Sequence, residues 1–217
     1  MPTDAMFCDH ANEVPQTCPC APDCYCRTHT GKPVRSPLRI AFAGACGTGK
    51  STLAEFVAKE FGLPVNPVGS RSVSKAMGFE SPYDVDKAGK RAEFQRRLVT
   101  EKRAWEDAHE SFVVDRTTLD NLAYTMLHDV HCVDDALLES VVQGVLRYTH
   151  VIYCPVAAFC NPGNDTARVQ SLAYHQLYDV LIEGLVDRYV PLGVTVICLE
   201  GKLDSRHDWL RHSLRTM

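Results

Sequence analysis

No feature limits what this chain can fold into more than the run Gly44, Ala45, Cys46, Gly47, Thr48, Gly49, Lys50 and Ser51, set directly behind the apolar stretch LRIAF. It fits G-x-x-x-x-G-K-[ST] in full. The residues before it read as a buried strand, and KSTLAEFVAKEFG behind it reads as an amphipathic helix ending at Gly62. In that context the glycines let the backbone curl so that successive N–H groups face phosphate oxygens, backed by the helix N-terminus. Lys50 would reach the β- and γ-phosphates, Ser51 would place its hydroxyl on Mg²⁺, and Thr52 is set for the α-phosphate. A chance match in a Gly-rich turn is the competing explanation, and the strand in front and helix behind argue against it. Residues 44 to 52 are expected to hold ATP with Mg²⁺.

Behind this loop strands and helices alternate, which predicts an α/β P-loop NTPase fold: a parallel sheet of about five strands with helices on both faces. The strands are read at LRIAFAG, the short extended piece PVNPV, SFVVD, HVIYC and VTVICL. Residues 85 to 109 read as one long polar helix with Phe94, Leu98 and Trp105 as its buried stripe. Further helices are expected over LDNLAYTMLH, from Asp134 or Asp135 to Tyr148, over TARVQSLAYHQLYDVLIEGLVDRYV, and over SRHDWLRHSL.

Upstream, the Gly/Pro/Ser-containing connector GKPVRSP separates a segment 1–36 from a domain 37–217. The chain has ten cysteines among 217 residues, and Cys8, Cys18, Cys20, Cys24 and Cys26 crowd into its start. With His10 and His29 they are spaced C-x-H-x₇-C-x-C-x₃-C-x-C-x₂-H, more ligands than one tetrahedral Zn²⁺ takes, so one or two structural ions are expected. Metal binding would supply the folding free energy that so short a segment lacks. A disulfide knot is the alternative, and the interleaved histidines argue against an iron–sulfur cluster. The scattered Cys46, Cys132, Cys154, Cys160 and Cys198 read as small core residues.

Composition is ordinary for a soluble chain, with 45% hydrophobic and 23% charged residues. No apolar run is long enough to span a bilayer, and the N-terminus lacks a secretory pattern, so a cytoplasmic location is expected. A net charge of −4 gives no global attraction to nucleic acid. Any such binding must come from a local patch.

SFVVD ends in Asp115, which would stand near Mg²⁺ or take a proton from an acceptor hydroxyl, and Arg116 adds a cation at the strand's C-terminal edge. Capping of the next helix is the plainer role for Asp115. A GTPase is disfavoured by the lack of an N-K-x-D-like run. An AAA-type motor is disfavoured by the short chain and the lack of a separate helical lid domain.

DRTTLDNLAY resembles the Asp-Arg motif and following helix of thymidylate kinases and related small P-loop kinases. The order phosphate loop, GSRSV, FQRRL, DRTTLDNLAY, NDTARVQ is similar to the wider group that includes nicotinamide-riboside kinase domains. In such kinases an arginine-bearing lid closes over the phosphates, and the matching position is Arg168; a solvated surface arginine is the alternative. The catalytic set implied is Lys50, Asp115, Arg116 and Arg168.

The helix KAGKRAEFQRRLVTEKR carries seven basic residues against Glu93 and Glu101. It reads either as a solvated face or as a surface that tracks phosphates through Arg91, Arg96, Arg97 and Lys102. Gln95 could read a pyrimidine edge, Phe94 could stack on the base, and Arg71 could hold an acceptor phosphate. Small P-loop nucleoside kinases resemble this in using a Gln over the acceptor pocket. From Leu38 to Leu199 the motif order also resembles phage 5-hydroxymethyluracil DNA kinases, which implies a DNA acceptor and, if phage-encoded, the host cytoplasm. A free nucleoside or nucleoside-monophosphate kinase stands as the alternative, with a nucleotide-dependent regulatory protein behind it. Neither the ATP-over-GTP preference nor the oligomeric state is legible.

Overall fold

The computed structural model describes residues 37–156 and 169–215. The strand β1 (Arg39–Ala43) leads into the phosphate loop and α1 (Lys50–Phe61), followed by α2 (Ser70–Ala76), α3 (Pro82–Lys87) and α4 (Arg91–Asp107). Then come β2 (Phe112–Val114), α5 (Thr118–His128), α6 (Asp135–Val145) and β3 (His150–Tyr153). The chain continues through α7 (Leu172–Tyr189), β4 (Thr195–Cys198) and α8 (Leu203–Arg215).

The sheet runs β2-β1-β3-β4 with every pair parallel. Period-two alternation divides its side chains between two cores. Ala41, Ala43, Phe112, Val114, Val151 and Tyr153 face the helices α5, α6 and α7. Ile40, Phe42, Val113 and Ile152 face α1 and α8. A parallel sheet buried on both faces accounts for strands that read as continuous apolar runs.

Four strands form among the described residues, not five. PVNPV makes a single parallel bridge from Val65 to Val113. Val113 N–H donates to Pro64 O and Asn66 N–H donates to Val113 O, both at 2.9 Å. Pro64 and Pro67 flank this bridge without N–H groups, so no ladder extends from it. The long helix expected from residue 85 to 109 is two helices. Gly89, at φ +67°, ends α3 in a left-handed turn that a side chain would disfavour, and α4 starts at Arg91. Ser171 caps α7 by accepting from Tyr174 N–H, so residues 169–171 precede the helix. GSRSV opens α2, with Gly69 at its N-cap. Cys154 is buried, whereas Cys198 is exposed on the edge strand β4.

Among the described residues no helix is long and apolar enough to cross a membrane. The proposed zinc ligands Cys8, His10, Cys18, Cys20, Cys24, Cys26 and His29 lie outside the described residues, as does Arg168. Among the described residues no His/Cys/Asp/Glu group could hold a metal ion on its own.

Candidate active site

β1 sits between β2 and β3, and the chain leaves it at the C-terminal edge of the sheet, where open α/β folds bind ligands. There Gly44, Gly47 and Gly49 adopt φ values of +134°, +80° and +87°. A side chain at Gly44 would place its Cβ 2.4 Å from Cys154 O, so the loop is pressed against the end of β3. Thr48 Oγ donates to Ala45 O at 2.9 Å. Lys50 is buried; its Nζ donates to Ala45 O and, at 3.2 Å, to Thr48 Oγ1. Burial, and secondarily the nearby Arg116, lowers the Lys50 pKa to about 8.

Ser51 and Asp115 converge from different elements. Ser51, in the first turn of α1, donates to Asp115 Oδ2 at 2.8 Å. Asp115 Oδ1 is buried with no hydrogen-bond partner. A hydroxyl and a carboxylate with a free oxygen form the donor set that Mg²⁺ takes beside a phosphate. Thr117 N–H donates to Phe42 O at 3.0 Å, and this fixes the end of β2 against β1. Arg116 Nη1 reaches Gly44 O at 3.4 Å, and its guanidinium lies 5.0 Å from the Tyr124 ring centre.

A cavity of about 840 Å³ opens over the loop, and Lys50, Asp115, Arg116, Arg71, Phe94 and Gln95 all line it. Arg91 lines it too, but is paired with Asp86. Cys46, Gly47, Gly49, Ser51 and Thr52 form its floor. Ala45 is fully buried beneath, and Cys46 Sγ lies 3.6 Å from His175 Nδ1. Gln95 is 3% exposed and Asn121 6%; both residues line this space, and the amide oxygen of each is buried without a hydrogen-bond partner. Asn121 was not foreseen, because inside DRTTLDNLAY it reads as one more polar helix residue.

The structure does not bring Arg96 and Arg97 to the cavity. Residues 94, 95, 98, 99 and 102 form the buried stripe of α4, so 96 and 97 point outward. There Arg96 pairs with Asp134, and Arg97 Nε with Glu101 Oε1 at 2.6 Å. Lys102 lies inside instead of on a phosphate-tracking face: it is 4% exposed, and its Nζ donates to Arg116 O.

Arg206 and Asp120 were also missed. Arg206 of α8, 1% exposed, donates from Nη1 to Thr48 O at 2.8 Å and from Nε to Gly201 O at 2.9 Å. Asp120 is fully buried beside Gly44. A lone Arg in a final helix carries no spacing signal, and Thr117-x-x-Asp120 reads as a capping box, which marks a helix start and not a site.

A family model described as AAA domain matches residues 39–206. The chain belongs to this AAA-domain family. No curated protein matches the chain. Among solved structures, a deoxyadenosine kinase from M. mycoides, with the products dCMP and dCDP bound, is similar at a TM-score of 0.55 and 17% identity. The match covers 82% of this chain and 99% of that one. A NadR protein in complex with NAD and AMP-PNP is similar at a TM-score of 0.61 and 13% identity, over 83% of this chain and 49% of that one. The AAA-domain chain thus spans about half of NadR and has the fold of P-loop kinases. Its family bears the AAA description even though the sequence pointed away from an AAA-type motor.

Proposed function

We propose that this AAA-domain protein is a kinase that transfers the γ-phosphoryl group of ATP to a hydroxyl of a nucleoside-class acceptor. One observation carries the reading: a single cavity joins the phosphate loop and the Ser51–Asp115 pair to two amide side chains, Gln95 and Asn121. An amide group carries both donors and an acceptor, the complement that a nucleobase edge presents. Phe94, beside Gln95, also lines the space and offers a ring surface. The likeness of the fold to a deoxyadenosine kinase supports the same class.

Ser51 and Asp115 would hold Mg²⁺, which when bound supplies charge neutralisation at the β- and γ-phosphates. Lys50 would leave Ala45 O and follow the moving phosphoryl group. Asp115 would orient the acceptor hydroxyl or accept its proton, and Arg116 would offset charge at the loop's edge. Arg168 enters on the sequence resemblance alone.

A hydroxymethyl group on uracil in DNA remains the finer form of the acceptor. It rested on an open basic helix, yet Arg91, Arg96 and Arg97 each have an acidic partner and Lys102 is buried. The geometry therefore favours a free nucleoside. The test incubates the full chain with labelled ATP and a panel of nucleosides, monophosphates, and 5-hydroxymethyluracil both free and in DNA. Phosphorylation of a free nucleoside, at a rate insensitive to salt, is the expected result. Product on DNA alone, with turnover falling steeply in salt through counterion release, would move the acceptor to DNA. Slow hydrolysis with no phosphorylated acceptor would leave a nucleotide-dependent regulator.

A further inference from the structure

Asp120 is the most densely bonded buried carboxylate around the phosphate loop, and the transfer chemistry above gives it no part. Its Oδ1 accepts from Gly44 N–H at 3.2 Å, from Tyr178 O–H at 2.8 Å and from Arg116 Nη1 at 3.5 Å. Its Oδ2 accepts from Thr117 N–H at 2.9 Å and from Thr117 O–H at 2.6 Å. The residue is fully buried. Four pieces of the chain therefore meet on one side chain: the first glycine of the phosphate loop, the Asp115-Arg116 strand end, α5 and α7.

A helix cap alone would explain only the Oδ2 side. The reciprocal pair of Thr117 and Asp120 is a capping box, and Glu, Gln or Asp serves at that position. The Oδ1 side faces away from the cap, toward the loop. It engages Gly44 N–H, while Arg116 Nη1 spans from the same oxygen to Gly44 O. Both backbone groups of Gly44 are thereby tied into one cluster with the guanidinium. Tyr178 closes it from α7, and burial together with the Asp120 charge raises its phenol well above the ordinary range, so it stays a donor.

We propose that Asp120 is a positioning residue for triphosphate binding, which acts by holding Gly44 and Arg116 in the geometry the phosphates require. The carboxylate is required because each of its oxygens faces a backbone N–H, and only an acceptor on both sides satisfies both. An amide, however flipped, would turn its NH₂ toward either Gly44 N–H or Thr117 N–H. This role rests on the nucleotide-binding half of the proposed function and not on the acceptor.

The test is a double-mutant cycle on the full chain, with a fluorescent ATP analogue and Mg²⁺ as the probe and affinity as the readout. Asp120→Asn should weaken binding about tenfold in the wild-type background and about threefold in an Arg116→Ala background, where the branch through the guanidinium is gone and only the direct bond to Gly44 N–H remains. A purely structural role would weaken binding by the same factor in both, and that result overturns the proposal. So does an Asp120→Asn affinity within about threefold of wild type. If Asp120→Asn lacks a cooperative thermal transition, Tyr178→Phe serves instead, since it keeps the ring and removes one donor. It should cost about threefold alone and less than about twofold beside Arg116→Ala; no loss, or an equal loss in both, overturns the proposal. Binding is read without any acceptor, so a failure to phosphorylate every acceptor would undo the kinase reading and leave this cycle intact.

Discussion

At the scale of single residues, the site is a set of charges engaged with one another. Lys50 is folded back onto Ala45 O and Thr48 Oγ1, and burial brings its pKa down to about 8. A phosphate entering the loop supplies the anion that Lys50 lacks, so the protonated form binds it. Affinity for MgATP should therefore fall as pH rises above about 8, by up to about tenfold per unit. Stability runs the opposite way. Against an ordinary value of 10.5, the unfolded chain holds this proton more tightly than the folded one. Between about 8 and 10.5 the protein without added nucleotide should therefore gain stability as pH rises. Paired titrations of nucleotide affinity and denaturant midpoint check both signs, and Lys50→Met should abolish its share of each slope. A rising affinity across that range would contradict this role of Lys50.

Among elements, the helices and strands with a clear apolar face were legible, since burial of one face is what fixes them. α1 shows this, with Leu53 and Val57 buried and Gly62 closing it in a left-handed turn. Where a break depends on one residue in a polar stretch, periodicity is silent; Gly89 divides a run that reads as continuous. The motif residues from Gly44 to Thr52, with Asp115 and Arg116, were legible because phosphate chemistry constrains their spacing. Their supports were not, because a buried side chain that bonds a distant carbonyl leaves no local pattern. Arg206 is the sharpest instance, since α8 reaches the phosphate loop through it. Arg206→Ala would leave Thr48 O and Gly201 O without these donors and should destabilise the protein by about 2–4 kcal/mol. Denaturant unfolding measures this, and nucleotide affinity should fall with it. A change below about 0.5 kcal/mol, the level of a neutral surface substitution, would show that α8 does not secure the loop.

For the molecule as a whole, the sequence reading divides the chain into a Cys/His-rich start and a nucleotide-binding domain. The spacing of Cys8, His10, Cys18, Cys20, Cys24, Cys26 and His29 supports structural zinc, and elemental analysis of full-length protein purified without added metal should find at least one ion per chain. Absence of metal with those cysteines paired would favour the disulfide alternative. Within the described residues, the tie from Arg206 to Thr48 spans 158 positions. On a ribosome the glycine-rich loop is therefore made 158 residues before the side chain that secures it. A nascent chain would thus display the glycine-rich loop long before it could grip a nucleotide.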